Sequence, residues 1–294
     1  MKHIHSLLLI LMLSLWGANW TAMKAGLAFV SPITFTLHRF AIAALTLSPM
    51  LFLIRAKVPR DHNKIVKLLI YSMIYLLQVL TTQIGLVRED SGVGAVLTFT
   101  QPIFVFCLAV WILHEKASLN RVLGIVMGFS GVLILIIRSL SEFTLQSAFM
   151  MILGGLFWAA AIVFFKRFLS DIEPVIPVFF QLFLGSILLL VLSLATNAFV
   201  FSMERAYLSL TLYSSIGSLV VGTIIWLFLL KEGTATILSG YTFIVPVLAL
   251  LFGWLFLGER FTVESIVGSV LVLGGIYAVN RRPKARDVDD ATAQ

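Results

Sequence analysis

The sequence predicts an all-α integral membrane protein, ten transmembrane helices arranged as two inverted repeats of five. Three observations carry that prediction. Of 294 residues, 60% are hydrophobic and 12% charged, with mean hydropathy +1.04, whereas a soluble domain carries about 25% charged residues. The chain has too little polar surface to cover itself in water, so its solvent is the lipid bilayer. Ten windows stay apolar long enough to cross roughly 30 Å of hydrocarbon, which takes about 20 helical residues. Finally, the chain repeats itself at near-constant spacing, with an odd number of spans in each copy.

The repeat is direct to read. The stretch "LHEKASLNRVLGIVMGFSGVLI" at 113–134 returns as "LGERFTVESIVGSVLVLGGIYA" at 257–278. Thr98, Phe99 and Pro102 recur 144 positions later as Thr242, Phe243 and Pro246. Trp16, Lys24, Pro32 and Tyr71 recur 142 positions later as Trp158, Lys166, Pro174 and Tyr213. The change of offset is expected between the third and fourth spans of each half. The expected units are 1–140, 141–280 and a polar cytoplasmic tail, 281–294. Five spans per half force the second copy to enter the membrane from the opposite side. Many secondary transporters are built this way, with a small-molecule site near the midplane where the halves meet.

Charge fixes an orientation. The net charge of +7 would suit nucleic acid, but its distribution follows the loops. Fifteen Lys and Arg fall on the side of Lys2, Arg55, Lys57, Arg60, Lys64, Lys67, Lys116, Arg121, Lys166, Arg167, Lys231 and the 281–286 cluster. Five fall on the other, at Lys24, Arg88, Arg138, Arg205 and Arg260. The positive-inside rule then places both termini in the cytoplasm of a multi-pass inner-membrane protein, with no nucleic-acid role. A single cysteine, Cys107, excludes an intrachain disulfide.

The spans follow in order. The first, about 5–23, has the basic start and apolar run of a signal peptide, but no small-residue cleavage site follows and nine spans do. It carries Asn19 between Trp16 and Trp20, and Trp16 is too deep to be an interfacial anchor. The second, 32–54, holds Arg39 about seven residues in, roughly 10 Å from the helix end and near the limit for snorkelling. An intramembrane arginine is expensive and marks a pathway or its anchor. Adjacent His38 is the one group there that titrates near neutral pH, which makes it the candidate proton carrier. The third, 65–87, places Tyr71, Tyr75, Gln78 and Thr82 on one face, pointing inward to neighbours or to a polar pathway. The fourth, 93–113, has Thr98 one turn from Pro102, a mid-span proline that kinks the helix and frees a carbonyl. The fifth, 119–137, carries Gly124, Gly128 and Gly131, a packing surface within the chain or in a homodimer.

The second half repeats the scheme. The sixth span, 147–165, holds Trp158; the seventh, 174–195, has Gln181 where the first half has Arg39; the eighth is 208–230. The ninth, 235–257, holds Tyr241, Thr242 and the second hinge proline, Pro246. The tenth, 262–280, carries Gly268, Gly274 and Gly275. Glu115 and Glu259 sit at span ends, where pairing with Lys116 or Arg260, or favouring the following helix dipole, explains them. Ser118 and Thr262 stand where they would cap the next helix. No Asp or Glu lies inside any span, which argues against a cation pump. No GxSxG or HExxH pair marks an enzyme, no GxxxxGK[ST] loop holds ATP, and no cofactor or metal site is expected.

The order of "LWGANWTAMKAGLAFVSPITFTLHRF", Pro102, "HEK" and a Gly-rich span, present in both halves, resembles the EamA-type transporters of the drug/metabolite transporter superfamily. The resemblance covers about residues 5–280. It implies a ten-helix carrier, usually an exporter of small metabolites such as amino acids. The runner-up is a multidrug or quaternary-ammonium efflux pump of the same superfamily. The second half departs from the pattern at Gln181 and at "AAAIVFF", which stands in place of "GANWTAM".

Overall fold

The computed structural model describes residues 3–53, 55, 58–115, 118–137, 145–259 and 263–280. Lys2, Lys57, Lys116, Arg138, Arg260, Thr262 and the tail 281–294 lie outside the described residues. Ten spans follow one another. The first half is α1 His3–Gly26, α2 Pro32–Leu53, α3 His62–Leu86, α4 Ser91–Ile112 and α5 Leu119–Ile137. The second is α6 Leu145–Phe168, α7 Val175–Ala195, α8 Arg205–Glu232, α9 Ala235–Leu257 and α10 Val263–Asn280. Eight of them are long and apolar enough to cross a membrane, and α5 and α10 take the two remaining places.

Apolar side chains face both ways. Phe35, Phe40, Leu47, Leu68 and Phe165 are fully buried, while Phe52, Leu53 and Trp111 are 84, 82 and 76% exposed. An outward apolar surface of that extent suits lipid and not water. Packing obeys a pseudo-two-fold. α2 lies on α7, α4 on α9 and α5 on α10, while α3 on α6 is matched by α1 on α8. The glycine surface belongs to the crossing of α5 and α10 within one chain. A Cβ on Gly275 would sit 2.5 Å from Gly128 N and 2.6 Å from Gly124 O.

Both hinge prolines sit at helix breaks. α4 loses its winding at Phe99–Thr100 and resumes at Gln101, one residue before Pro102. α9 does the same at Thr242–Phe243 and resumes at Ile244, two residues before Pro246. Proline has no N–H to return to the carbonyl four residues back, at Thr98 and Thr242. The Val245 amide reaches Thr242 O instead, at 2.9 Å. Thr98 O projects toward Gly155, where a Cβ would come within 2.6 Å of it. A larger residue than glycine does not fit there.

The ends of these broken helices are held from the other repeat. Glu259, at the end of α9, accepts hydrogen bonds from Ser91 N and Oγ at the start of α4. Glu115, after α4, accepts from Ala235 N at 2.8 Å and Thr236 N at 3.3 Å at the start of α9. The two glutamates therefore satisfy orphan helix donors in the opposite half. Ser118 does cap its own following helix, accepting from Arg121 N at 3.4 Å. Two lysines act at the opposite helix ends. Lys24 donates to the carbonyls of Leu86 and Val87, and Lys166 to those of Leu230, Lys231 and Gly233.

These matched caps relocate the register shift. Leu86 and Leu230 are already 144 apart, whereas Tyr71 and Tyr213 are 142 apart. The two extra residues thus lie inside α8, and there the helix is π-wound from Tyr213 to Gly222. Bonding i→i+5 encloses one residue more than i→i+4, so ten π residues absorb the insertion without lengthening the span.

Candidate functional site

A cavity of about 90 Å³ lies at mid-depth where α1, α2, α3, α4, α6 and α8 converge. That is room for a few waters or a small solute. One wall is aromatic. The Trp16 ring meets Trp158 edge-on at 5.3 Å and Trp226 at 5.6 Å, and Phe99 meets Trp158 at 5.1 Å. Trp16 is fixed by its indole N–H, which donates to Ser218 O at 3.4 Å. That carbonyl belongs to the π-wound part of α8, so the insertion places a backbone acceptor at the cavity edge. Asn19 is held from the same segment by the Ser214 hydroxyl.

The other wall is polar. Arg39 lines the cavity and is 1% exposed. Its carbon Cζ stands 5.4 Å from the Phe35 ring centroid, and neither Nε nor Nη1 has a hydrogen-bond partner among the described residues. Guanidinium stays protonated in proteins, so this is a buried positive charge facing an empty space. No acidic side chain lines the cavity among the described residues. Tyr75 lies beside Arg39 and against the Thr223 hydroxyl, which joins α2, α3 and α8 at this wall. Among the described residues, Gln83 is fully buried with both amide atoms unpartnered, and the Thr98 hydroxyl at the α4 break is likewise unpartnered. Gln181, the counterpart of Arg39, is also buried without a partner, but it lies off the cavity lining.

Of the residues expected from sequence, Trp16, Asn19, Trp20, Arg39, Tyr75, Gln78, Thr82, Thr98 and Trp158 come together around this cavity. Tyr241 and Thr242 stand off it, and the Thr242 hydroxyl bonds to Ser239 O in its own helix at 2.6 Å. His38 also stands off the lining. Its Nδ1 lies 2.6 Å from the Tyr207 hydroxyl, among the rings of Phe199 and Phe201. Sequence reasoning missed Gln83, Ser218, Thr223 and Trp226. The signal for the last three was a run of serines, glycines and a threonine in "YSSIGSLVVGTIIW", polar for a span but without α-helical periodicity.

The cavity lies between the two repeats, and comparison with known proteins shows which family those repeats belong to. The EamA-like transporter family matches residues 4–137 and again 145–281. The uncharacterized transporter YoaV of Bacillus subtilis is 32% identical over 272 residues, covering 90% of this chain and 92% of its own. A probable amino-acid metabolite efflux pump of Escherichia coli is 26% identical, covering 94% of this chain and 95% of its own. A solved crystal structure superposes with a TM-score of 0.79 at 15% identity, over 95% of this chain and 97% of that one, which speaks for the fold alone. With two matches to the family along most of its length, this chain belongs to the EamA-like transporter family: a transporter, not an enzyme.

Proposed function

We propose that the chain is a secondary exporter of small carboxylate-bearing metabolites, amino acids first, working by alternating access between its two repeats. The buried guanidinium of Arg39 in the central cavity, with Nε and Nη1 unpartnered among the described residues, carries this reading. A planar guanidinium grips a carboxylate with two parallel hydrogen bonds. A transported carboxylate would also neutralise a charge that is costly to leave alone in a desolvated site. The efflux-pump relatives, whose names refer to amino-acid metabolites, support the same class. Both termini lie in the cytoplasm on this reading, given the basic excess on their side, and the two repeats divide near residue 140. The second reading, a quaternary-ammonium pump, has the aromatic wall in its favour. Among the described residues the one charged side chain on the lining is Arg39, and its positive charge repels such a cargo.

The test is transport in liposomes without nucleotide, at matched protein levels and with folding checked by monodispersity. Arg39→Lys keeps the charge and loses the fork, so transport of a carboxylate substrate should fall about tenfold. Arg39→Gln should fall further. A fully active Arg39→Lys carrier would leave Arg39 as a snorkelling anchor and remove the carboxylate clamp.

A further inference from the structure

Arg39 accounts for one end of a substrate and leaves a second feature of the same cavity unexplained. Gln83 is 0% exposed, lines the cavity and has neither its Oε1 nor its Nε2 bonded among the described residues. A buried amide left without partners is destabilising by itself, so replacing it with an apolar residue of similar shape would be neutral or better for the fold alone. Its place on the cavity wall gives it a partner whenever the cavity is filled.

We infer that Gln83 forms the amine subsite of the cavity, so that the preferred cargo is an α-amino carboxylate and not a simple carboxylic acid. This rests on the carboxylate reading of Arg39. An ammonium group brings three donors and needs acceptors. The cavity offers no acidic side chain among the described residues. The amide oxygen of Gln83 is a buried acceptor with no partner among the described residues, and the Thr98 hydroxyl on the same lining is another. The faces of Trp16, Trp158 and Trp226 add cation–π attraction without adding charge. A site built from neutral acceptors and one guanidinium is electrostatically suited to a zwitterion. It binds the carboxylate by charge and the ammonium by dipoles, and it rejects a solute carrying only the cation. Gln83 sits one position beyond the polar face of Tyr71, Tyr75, Gln78 and Thr82, and it lines the same cavity.

The experiment uses intrinsic tryptophan fluorescence, because Trp16, Trp20, Trp158 and Trp226 line the cavity, four of the chain's six tryptophans. The purified full-length protein is titrated with each protein amino acid and with the matching carboxylic acid that lacks the amine. At least one amino acid should bind about tenfold or more tightly than its des-amino partner. Gln83→Met, close in volume, should bring the two affinities within about twofold of each other. It should leave des-amino binding and melting temperature unchanged. Gln83→Glu should instead sharpen the preference, since its carboxylate repels the des-amino acid and attracts the ammonium. A Gln83→Met protein that keeps the preference, or weakens both members of a pair equally, overturns the amine subsite. Des-amino acids that bind as tightly as amino acids, in an Arg39-dependent way, also overturn it and leave the carboxylate reading standing. An Arg39→Gln protein that binds both members as the wild type does removes the carboxylate reading instead. Saturable quenching by neither class overturns both.

Discussion

The Glu259 carboxylate takes both the backbone amide of Ser91, at 3.0 Å, and its hydroxyl, at 2.8 Å. Its repeat partner Glu115 takes the amides of Ala235 and Thr236 on the opposite face. Each broken helix is thus started by a carboxylate from the other repeat. Losing a helix cap of this kind costs about 1 kcal/mol. Glu259→Ala and Glu115→Ala should each lower the melting temperature of the purified protein, and the double variant should lower it by the sum, because the two sites lie far apart. Unchanged melting in either single variant would mean that water replaces the carboxylate at no cost. Burial raises the Glu259 carboxyl above its ordinary range, partly offset by the bonds from Ser91. A raised carboxyl binds its proton more readily folded than unfolded, so deprotonation with rising pH works against the fold here. Glu259→Gln should therefore flatten the melting curve's pH dependence just above the usual carboxylate range.

The two threonines at the helix breaks should separate. Thr98 has an unpartnered hydroxyl on the cavity lining, while the Thr242 hydroxyl is bound to Ser239 O, away from it. Thr98→Val should reduce transport about fivefold or more, the loss of one hydrogen bond to a polar solute. Thr242→Val should leave the rate within about twofold, since only a local bond within its own helix is removed. Equal loss from both would mean that the threonines act through the shape of the breaks and not through contact with cargo.

Lys64, at the start of α3, pairs with Asp171 between α6 and α7 and joins the repeats on one membrane face. The hydrogen bond from Lys64 holds the Asp171 carboxyl below its ordinary value. A depressed carboxyl contributes stability above its unfolded pKa, near 4, and loses it as pH falls through the lower folded value. The melting difference between wild type and Asp171→Asn should be constant at neutral pH and shrink progressively as pH falls below about 4. Added salt should shrink it, because the pair is exposed. A difference that persists in acid would assign Asp171 a role other than ion pairing.

Gly275 meets the backbone of Gly124 and Gly128 where α10 crosses α5. Gly275→Ala already places a carbon against main-chain atoms that cannot yield, and overpacking of that kind costs about 1–3 kcal/mol. Gly275→Leu should abolish monodisperse protein on size-exclusion chromatography, whereas Gly258→Asn, in a left-handed turn with open space around it, should be tolerated. A stable Gly275→Leu variant would show that the crossing can open.

Most of this architecture was legible because lipid makes spans apolar and repeats make them recur. The ten spans, the hinge prolines and nine of the cavity residues follow from depth and residue type alone. The caps were not legible. Glu259 and Ser91 are 168 residues apart, and no local pattern ties a span end to the other half. The α8 wall was missed for a different reason. Periodicity arguments assume 3.6 residues per turn, and Ser218 lies where the winding is wider. Tyr241 and Thr242 were expected by symmetry with the first half. The Thr98 hydroxyl reaches the lining, while that of Thr242 turns back on its own helix.

A bilayer dictates how far a helix must travel but not how many residues it spends on the way. From Tyr71 to Leu86 α3 advances 15 positions, and from Tyr213 to Leu230 α8 advances 17. In a soluble loop two surplus residues would bulge into water unnoticed. Here hydrocarbon thickness forbids the bulge at either end, so the surplus is wound into the middle as extra girth, beside the chamber. Duplicated genes drift apart chiefly by substitution. In this molecule the two-residue difference between the repeats falls in the π-wound part of α8, so the two sides of the cavity are not copies of one another there.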